Sequence, residues 1–122
     1  MRLKTAPFLA IKSGRKTVEL RLFDEKRSAI KEGDFIEFSN LNFEGTLLCR
    51  VKKLRVFPNF ESLYAEYDKI SIGYEENEAA NPKDMSAYYS AEEIARYGVV
   101  AIEIEIEKWN KKRRSKPAFF VA

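Results

Sequence analysis

The chain has no histidine and only one cysteine, Cys49. These absences remove Ser-His-Asp and Cys-His nucleophile systems, histidine-ligated metal sites and any internal disulfide. Chemistry, if any, must run on Lys, Thr, Ser, Tyr or carboxylate groups. Proline and glycine are sparse, at four and five residues in 122, and no internal repeat or low-complexity block is present. No apolar run approaches the roughly 18–20 residues that span a bilayer, and the N-terminus lacks the apolar stretch of a secretory signal. The chain reads as a soluble cytoplasmic protein, with no membrane partner, metal or cofactor expected.

What is present suits a single compact domain. The sequence is 45% hydrophobic and 34% charged, and a domain of this size buries roughly two-thirds of the surface its unfolded chain exposes. The net charge of +3 hides a strong asymmetry. Residues 1–57 carry 13 basic and 7 acidic side chains, residues 58–107 carry 3 and 12, and the remainder carries 6 basic and none acidic. An anion-binding surface on the folded body must therefore lie in the first half.

Periodicity and punctuation predict the elements. Thr5-Ala6-Pro7 opens a short helix that sets Phe8 and Ile11 one turn apart and stops at Gly14. Residues 16–23 alternate, with Val18, Leu20 and Leu22 expected inward and Thr17, Glu19 and Arg21 outward. Residues 24–31 form one or two helical turns, and the Glu32-Gly33-Asp34 turn feeds a strand over 35–39. In the strand over 46–57, Leu47, Cys49 and Val51 are in phase, and Leu54 and Val56 continue the apolar face after a slip of one residue. That slip predicts a bulge near Lys52-Lys53. Phe60, Leu63, Tyr64 and Tyr67 have amphipathic-helix spacing, and residues 68–84 read as a long loop. Ser90-Ala91-Glu92-Glu93 is a capping box for a helix closed by Gly98. Residues 99–107 alternate strictly, with Val100, Ile102, Ile104 and Ile106 inward.

The segment F-L-A-I-K-S-G-R-K-T-V-E-L-R at residues 8–21 carries the most chemical information. Gly14 permits close backbone approach, Lys16 leaves the glycine turn as a cation, and Glu19 and Arg21 lie on one strand face about 7 Å apart. Such a trio can grip a polar, planar ligand. Arg21 offers a fork to phosphate or carboxylate, Glu19 accepts from an amine or holds Arg21, and Lys16 neutralises an anion.

These residues match the G-x-K-x-x-E-x-R hallmark of the ASCH domain, as Gly14, Lys16, Glu19 and Arg21, so the sequence resembles that family, whose fold is similar to the PUA RNA-binding barrel. The Gly33-Asp34 turn, Phe60 with Leu63, and Tyr97-Gly98-Val99 extend the match over about residues 3–108. The resemblance implies an α+β fold: a PUA-like mixed or antiparallel β-barrel of five to six strands with flanking short helices over 1–108, followed by a basic, flexible tail over 109–122. It implies a cleft that receives RNA, a nucleotide or a nucleoside. One branch of the family looks like small amidohydrolases acting on N4-acylated cytidine, and other members are associated with ribonuclease activity. The acylcytidine branch keeps the lysine, matched by Lys16, but carries threonine where this chain has Glu19. On the enzyme reading Lys16 and Glu19 are the catalytic candidates, with Glu66 as a further acid/base. On the binding reading, loss of Lys16 or charge reversal at Arg21 is expected to abolish binding and leave thermal unfolding nearly unchanged; on the enzyme reading, turnover is expected to depend on Lys16.

Other groups admit two readings each. Lys52, Lys53 and Arg55 either track phosphates or are solvated charges guarding a strand edge. Tyr64, Tyr67, Tyr74, Tyr88, Tyr89 and Tyr97 are either base-stacking surfaces or packing. The six cations between Lys108 and Lys116 suit non-specific, salt-sensitive attraction to nucleic acid, or a solvated end. The acidic region 58–107 also suits a protein partner, so an interaction module in transcription or translation is a third possibility. Cys49 reads as an inert buried thiol.

Overall fold

A computed structural model of the chain describes residues 1–40, 42 and 45–107, and the backbone of Phe120–Val121. Six strands form one sheet: β1 (Arg2–Leu3), β2 (Val18–Leu22), β3 (Phe35–Asn40), β4 (Thr46–Phe57), β5 (Val99–Ile106) and β6 (Phe120–Val121). The order is β1-β3-β4-β5-β2, with β6 also on β3. β1 and β6 run parallel to β3, and every other pairing is antiparallel. The result is an α+β fold around a curled half-barrel, in agreement with expectation.

β4 makes the curl possible. Its first part pairs with β3, its second part with β5, and the register slips between Val51 and Lys53. This is the predicted bulge, and bulges bend strands in this way. The short helices are α1 (Thr5–Lys12), α2 (Glu25–Ser28), α3 (Phe60–Glu66) and α4 (Ala91–Tyr97). Local polar residues set the starts of the last three, while α1 begins without a side-chain cap. The Asp24 carboxylate accepts from the Arg27 amide at 3.0 Å, Asn59 accepts from the Ser62 amide at 2.8 Å, and Ser90 and Glu93 complete the expected capping box.

Two apolar clusters divide the core. Phe8, Ile11, Ile36, Phe38, Cys49, Val51, Val100, Ile102 and Ile104 fill the inside of the curl. Val18, Leu20, Leu22, Val99 and Ala101 pack outside it, beneath Phe60 and Leu63 of α3. This corrects the facing of β2. Cross-strand partners share a face, and Glu19 pairs with Ile102 while Leu20 pairs with Ala101. Glu19 therefore points to the inner side, and the aliphatic row points out to α3. Alternation shows which residues share a face, but because α3 covers the outer side as well, hydrophobicity does not mark the inner one.

The loop predicted over 68–84 packs against the body. The Ser71 carbonyl accepts from the amides of both Thr17 and Val18, at 2.9 and 3.0 Å. A 3-10 helix at Pro82–Ala87 follows where an irregular loop is expected, and β1 at Arg2–Leu3 is a strand too short for periodicity to mark. The basic run over 108–116 lies outside the described residues. Among the described residues, no helix is long and apolar enough to cross a membrane.

Gly98 joins α4 to β5 with φ at +71°, and a Cβ there would meet the Phe57 carbonyl oxygen at 2.9 Å. Gly98→Ala therefore combines left-handed strain with a backbone clash, and a loss of about 1–3 kcal/mol is expected. Urea unfolding checks this as a lower midpoint at an unchanged slope.

Candidate functional site

The sheet path ends at β1 and β2, and the gap between these two strands is spanned by a side chain. Arg21 of β2 donates from Nη2 to the Arg2 carbonyl of β1 at 3.2 Å, and from the same nitrogen to Glu19 Oε2 at 3.1 Å. The other Glu19 oxygen accepts from Lys16 Nζ at 2.8 Å and from the Leu20 amide at 3.2 Å. Glu19 is 3% exposed and Lys16 8%. The three motif charges thus form one continuous chain, cation to carboxylate to cation, in a mostly buried setting.

Burial alone would raise the Glu19 carboxyl above its ordinary value. The charges of Lys16 and Arg21, with their hydrogen bonds, outweigh it and hold the group below that value. Glu19 is therefore ionised and already satisfied on both oxygens. Arg21 Nε and Nη1 have no hydrogen-bond partner among the described residues, and Lys16 spends one ammonium proton on Glu19. The trio can still donate outward.

Lys16, Glu19 and Arg21 line one cleft of about 510 Å³. Arg2, Lys4 and Arg15 add cations, and Tyr64, Tyr74, Tyr88 and Tyr89 add aromatic surface. Glu75, Glu78 and Asp84 contribute acids, so part of the acidic region 58–107 shares this cleft with the motif. Arg15 ties that segment to the motif turn, donating to the carbonyls of Gly73 and Tyr74 at 3.4 and 3.2 Å. The Lys16 stem lies so close to Gly73 that a Cβ at Gly73 would stand 3.2 Å from its Cδ. Tyr74 OH donates to Asp84 Oδ2 at 2.7 Å and lies 3.0 Å from Tyr64 OH. Burial pushes the Tyr64 and Tyr74 hydroxyls upward, so both are neutral at physiological pH.

The remaining sequence candidates lie elsewhere. Gly14 ends the α1 turn with φ at +83° and lines a second hollow with Thr17, Lys52 and Glu103, a space of about 470 Å³ that shares only Lys16 with the cleft. Lys53 is exposed and lines neither space. Arg55 lies over the rings of Phe57 and Tyr67 and pairs with Glu66 at 3.4 Å. Neither Arg55 nor Glu66 is brought to the motif. Cys49 is fully buried, and burial, then the Glu19 charge, pushes its thiol up to about 12. Among the described residues, no group of three or more His, Cys, Asp or Glu is placed to hold a metal ion.

Sequence reasoning did not single out Arg2, Lys4, Arg15 or the three cleft acids. Arg15 stands inside the motif, but the other residues come from β1, the start of α1 and the 68–89 excursion, joined only by folding.

The chain matches the ASCH domain model over residues 1–108. It is similar to the crystal structure of hypothetical protein PH0355, with 33% identity, a TM-score of 0.75, and coverage of 88% of this chain and 96% of that one. It is also similar to the solution structure of protein PF0455 from Pyrococcus furiosus, with 30% identity, a TM-score of 0.65, and coverage of 89% and 100%. No curated protein matches. A family match over residues 1–108 and two solved neighbours of similar architecture, at 33% and 30% identity, agree: this chain belongs to the ASCH domain family.

Proposed function

We propose that the cleft binds RNA or a nucleotide. The observation that carries this reading is the convergence of Lys16, Glu19 and Arg21 in one cleft with a tyrosine-bearing wall. Its volume falls within the roughly 300–1,000 Å³ of small-molecule sites. Outward donors from Lys16 and Arg21 suit phosphate or base carbonyl oxygens, the tyrosine rings suit a flat base, and the acids of the excursion suit exocyclic amines. Binding is favoured over hydrolysis by the state of Glu19. A carboxylate held ionised between two cations is a weak base, and threonine's hydroxyl is absent from that position.

The test is titration with mononucleotides and short single-stranded RNA. Charge reversal at Arg21 is a poor probe, because a second carboxylate against buried Glu19 lowers stability as well as affinity; this replaces the expectation of unchanged unfolding. Arg21→Gln keeps a hydrogen-bonding group and removes the charge. It is expected to weaken binding about 10- to 100-fold, the value of charged hydrogen bonds, with circular dichroism confirming the fold. Unchanged affinity overturns the reading. Lys16-dependent turnover of acylcytidine or RNA by the purified protein transfers the assignment to a hydrolase.

A further inference from the structure

The tyrosines around the cleft differ in how far they are already committed. Tyr64 and Tyr74 join their hydroxyls at 3.0 Å, and Tyr74 also holds Asp84. Tyr89 is half-buried and stacks on Phe60, with centroids 6.0 Å apart and planes at 15°. Tyr67 and Tyr97 do not line the cleft. Tyr88 alone among the cleft tyrosines is largely exposed, at 56%, and its hydroxyl makes no hydrogen bond among the described residues. Its ring meets Tyr89 at a tilt of 51°, and the Lys4 ammonium lies 5.3 Å from its centroid.

An exposed aromatic ring by itself is ordinary surface. Here it borders a cleft and is covered by a cation from the facing wall. We propose that Tyr88 is the platform on which an unpaired base stacks at the cleft mouth, and that Lys4 is the group this base displaces. The proposal rests on the binding reading above and narrows it to a ligand class. An ammonium over an exposed ring is a weak contact, and a stacked base is a stronger one. The freed ammonium then pairs with the ligand's phosphate. Duplex bases are stacked on one another and offer no free face, so the preferred ligand is a single-stranded segment or a free nucleotide.

The experiment compares wild type, Tyr88→Ala, Tyr88→Phe and Arg21→Gln against a short single-stranded oligoribonucleotide, its duplex with the complement, and CMP. Tyr88→Ala is expected to weaken single-strand binding about 5- to 100-fold. Tyr88→Phe keeps the ring and is expected to bind as wild type does, and the duplex is expected to bind more weakly than the single strand. In NMR spectra, the Lys4 side-chain methylene protons, shielded by the ring in the free protein, should move downfield when CMP is added. If Tyr88→Ala binds normally while Arg21→Gln does not, the platform is overturned and the cleft reading stands. Duplex binding equal to the single strand, or unmoved Lys4 resonances at saturating CMP, also overturns the platform. Failure of the wild type to bind any of the three probes overturns both.

Discussion

Glu19→Gln is expected to destabilise the protein by about 3–5 kcal/mol, the usual effect of deleting one partner from a buried charge group. For a domain of this size that lowers the thermal midpoint by roughly 10–20 °C. The glutamine preserves shape and one acceptor, yet it leaves the Lys16 ammonium and the Arg21 guanidinium facing each other without the intervening negative charge. Lys16 is almost fully buried, so water does little to screen that repulsion. The effect depends on pH with a defined sign. The folded carboxyl titrates below its ordinary value of 4.5. Its stabilisation is therefore complete above the unfolded value and is lost as pH falls through the lower folded one. The stability gap between wild type and Glu19→Gln should narrow as pH drops below 4.5, as urea midpoints across the acid range will show. A gap that stays constant to the acid limit would mean that the carboxylate charge is not what holds the site.

Phe60→Ala is expected to cost about 3–5 kcal/mol and, unlike other core truncations of α3, to reach the cleft. Phe60 is 2% exposed and belongs to the outer apolar layer, packed with Leu63 over the aliphatic row of β2. Its ring also backs Tyr89, which lines the cleft. Leu63→Ala, at a fully buried neighbour in the same cluster, supplies the comparison. Both variants should unfold at lower denaturant. At a temperature where both remain folded, nucleotide affinity should fall in Phe60→Ala and be retained in Leu63→Ala. Equal affinities would show that Tyr89 needs no support from beneath.

These two residues also mark how far the sequence could be read. Phe60 was legible as the start of an amphipathic helix, because the helical spacing of Phe60, Leu63, Tyr64 and Tyr67 is a local signal; the Asn59 cap emerged only with the structure. Glu19 was legible as a member of a charged trio, because the spacing of Lys16, Glu19 and Arg21 is fixed along the chain. Its burial was not legible. A strand covered on both faces alternates just as a half-exposed one does, and only the pairing of Glu19 with Ile102 turns the carboxylate inward.

Local chain chemistry alone specifies the strands of strong alternation, the bulge after Val51, the capping box at Ser90, the glycine stop of α1 and the motif that identifies the family. Each is a property of neighbours within a few residues, where backbone preference and side-chain period act directly. Long-range packing makes Arg21 close the seam to β1, brings the acids and tyrosines of the 68–89 excursion to the motif, and pairs Arg55 with Glu66 away from it. Those outcomes depend on which distant segments lose water together. The placement of a charge in a shared cleft is the sum of many such burials, and no short stretch of chain encodes it.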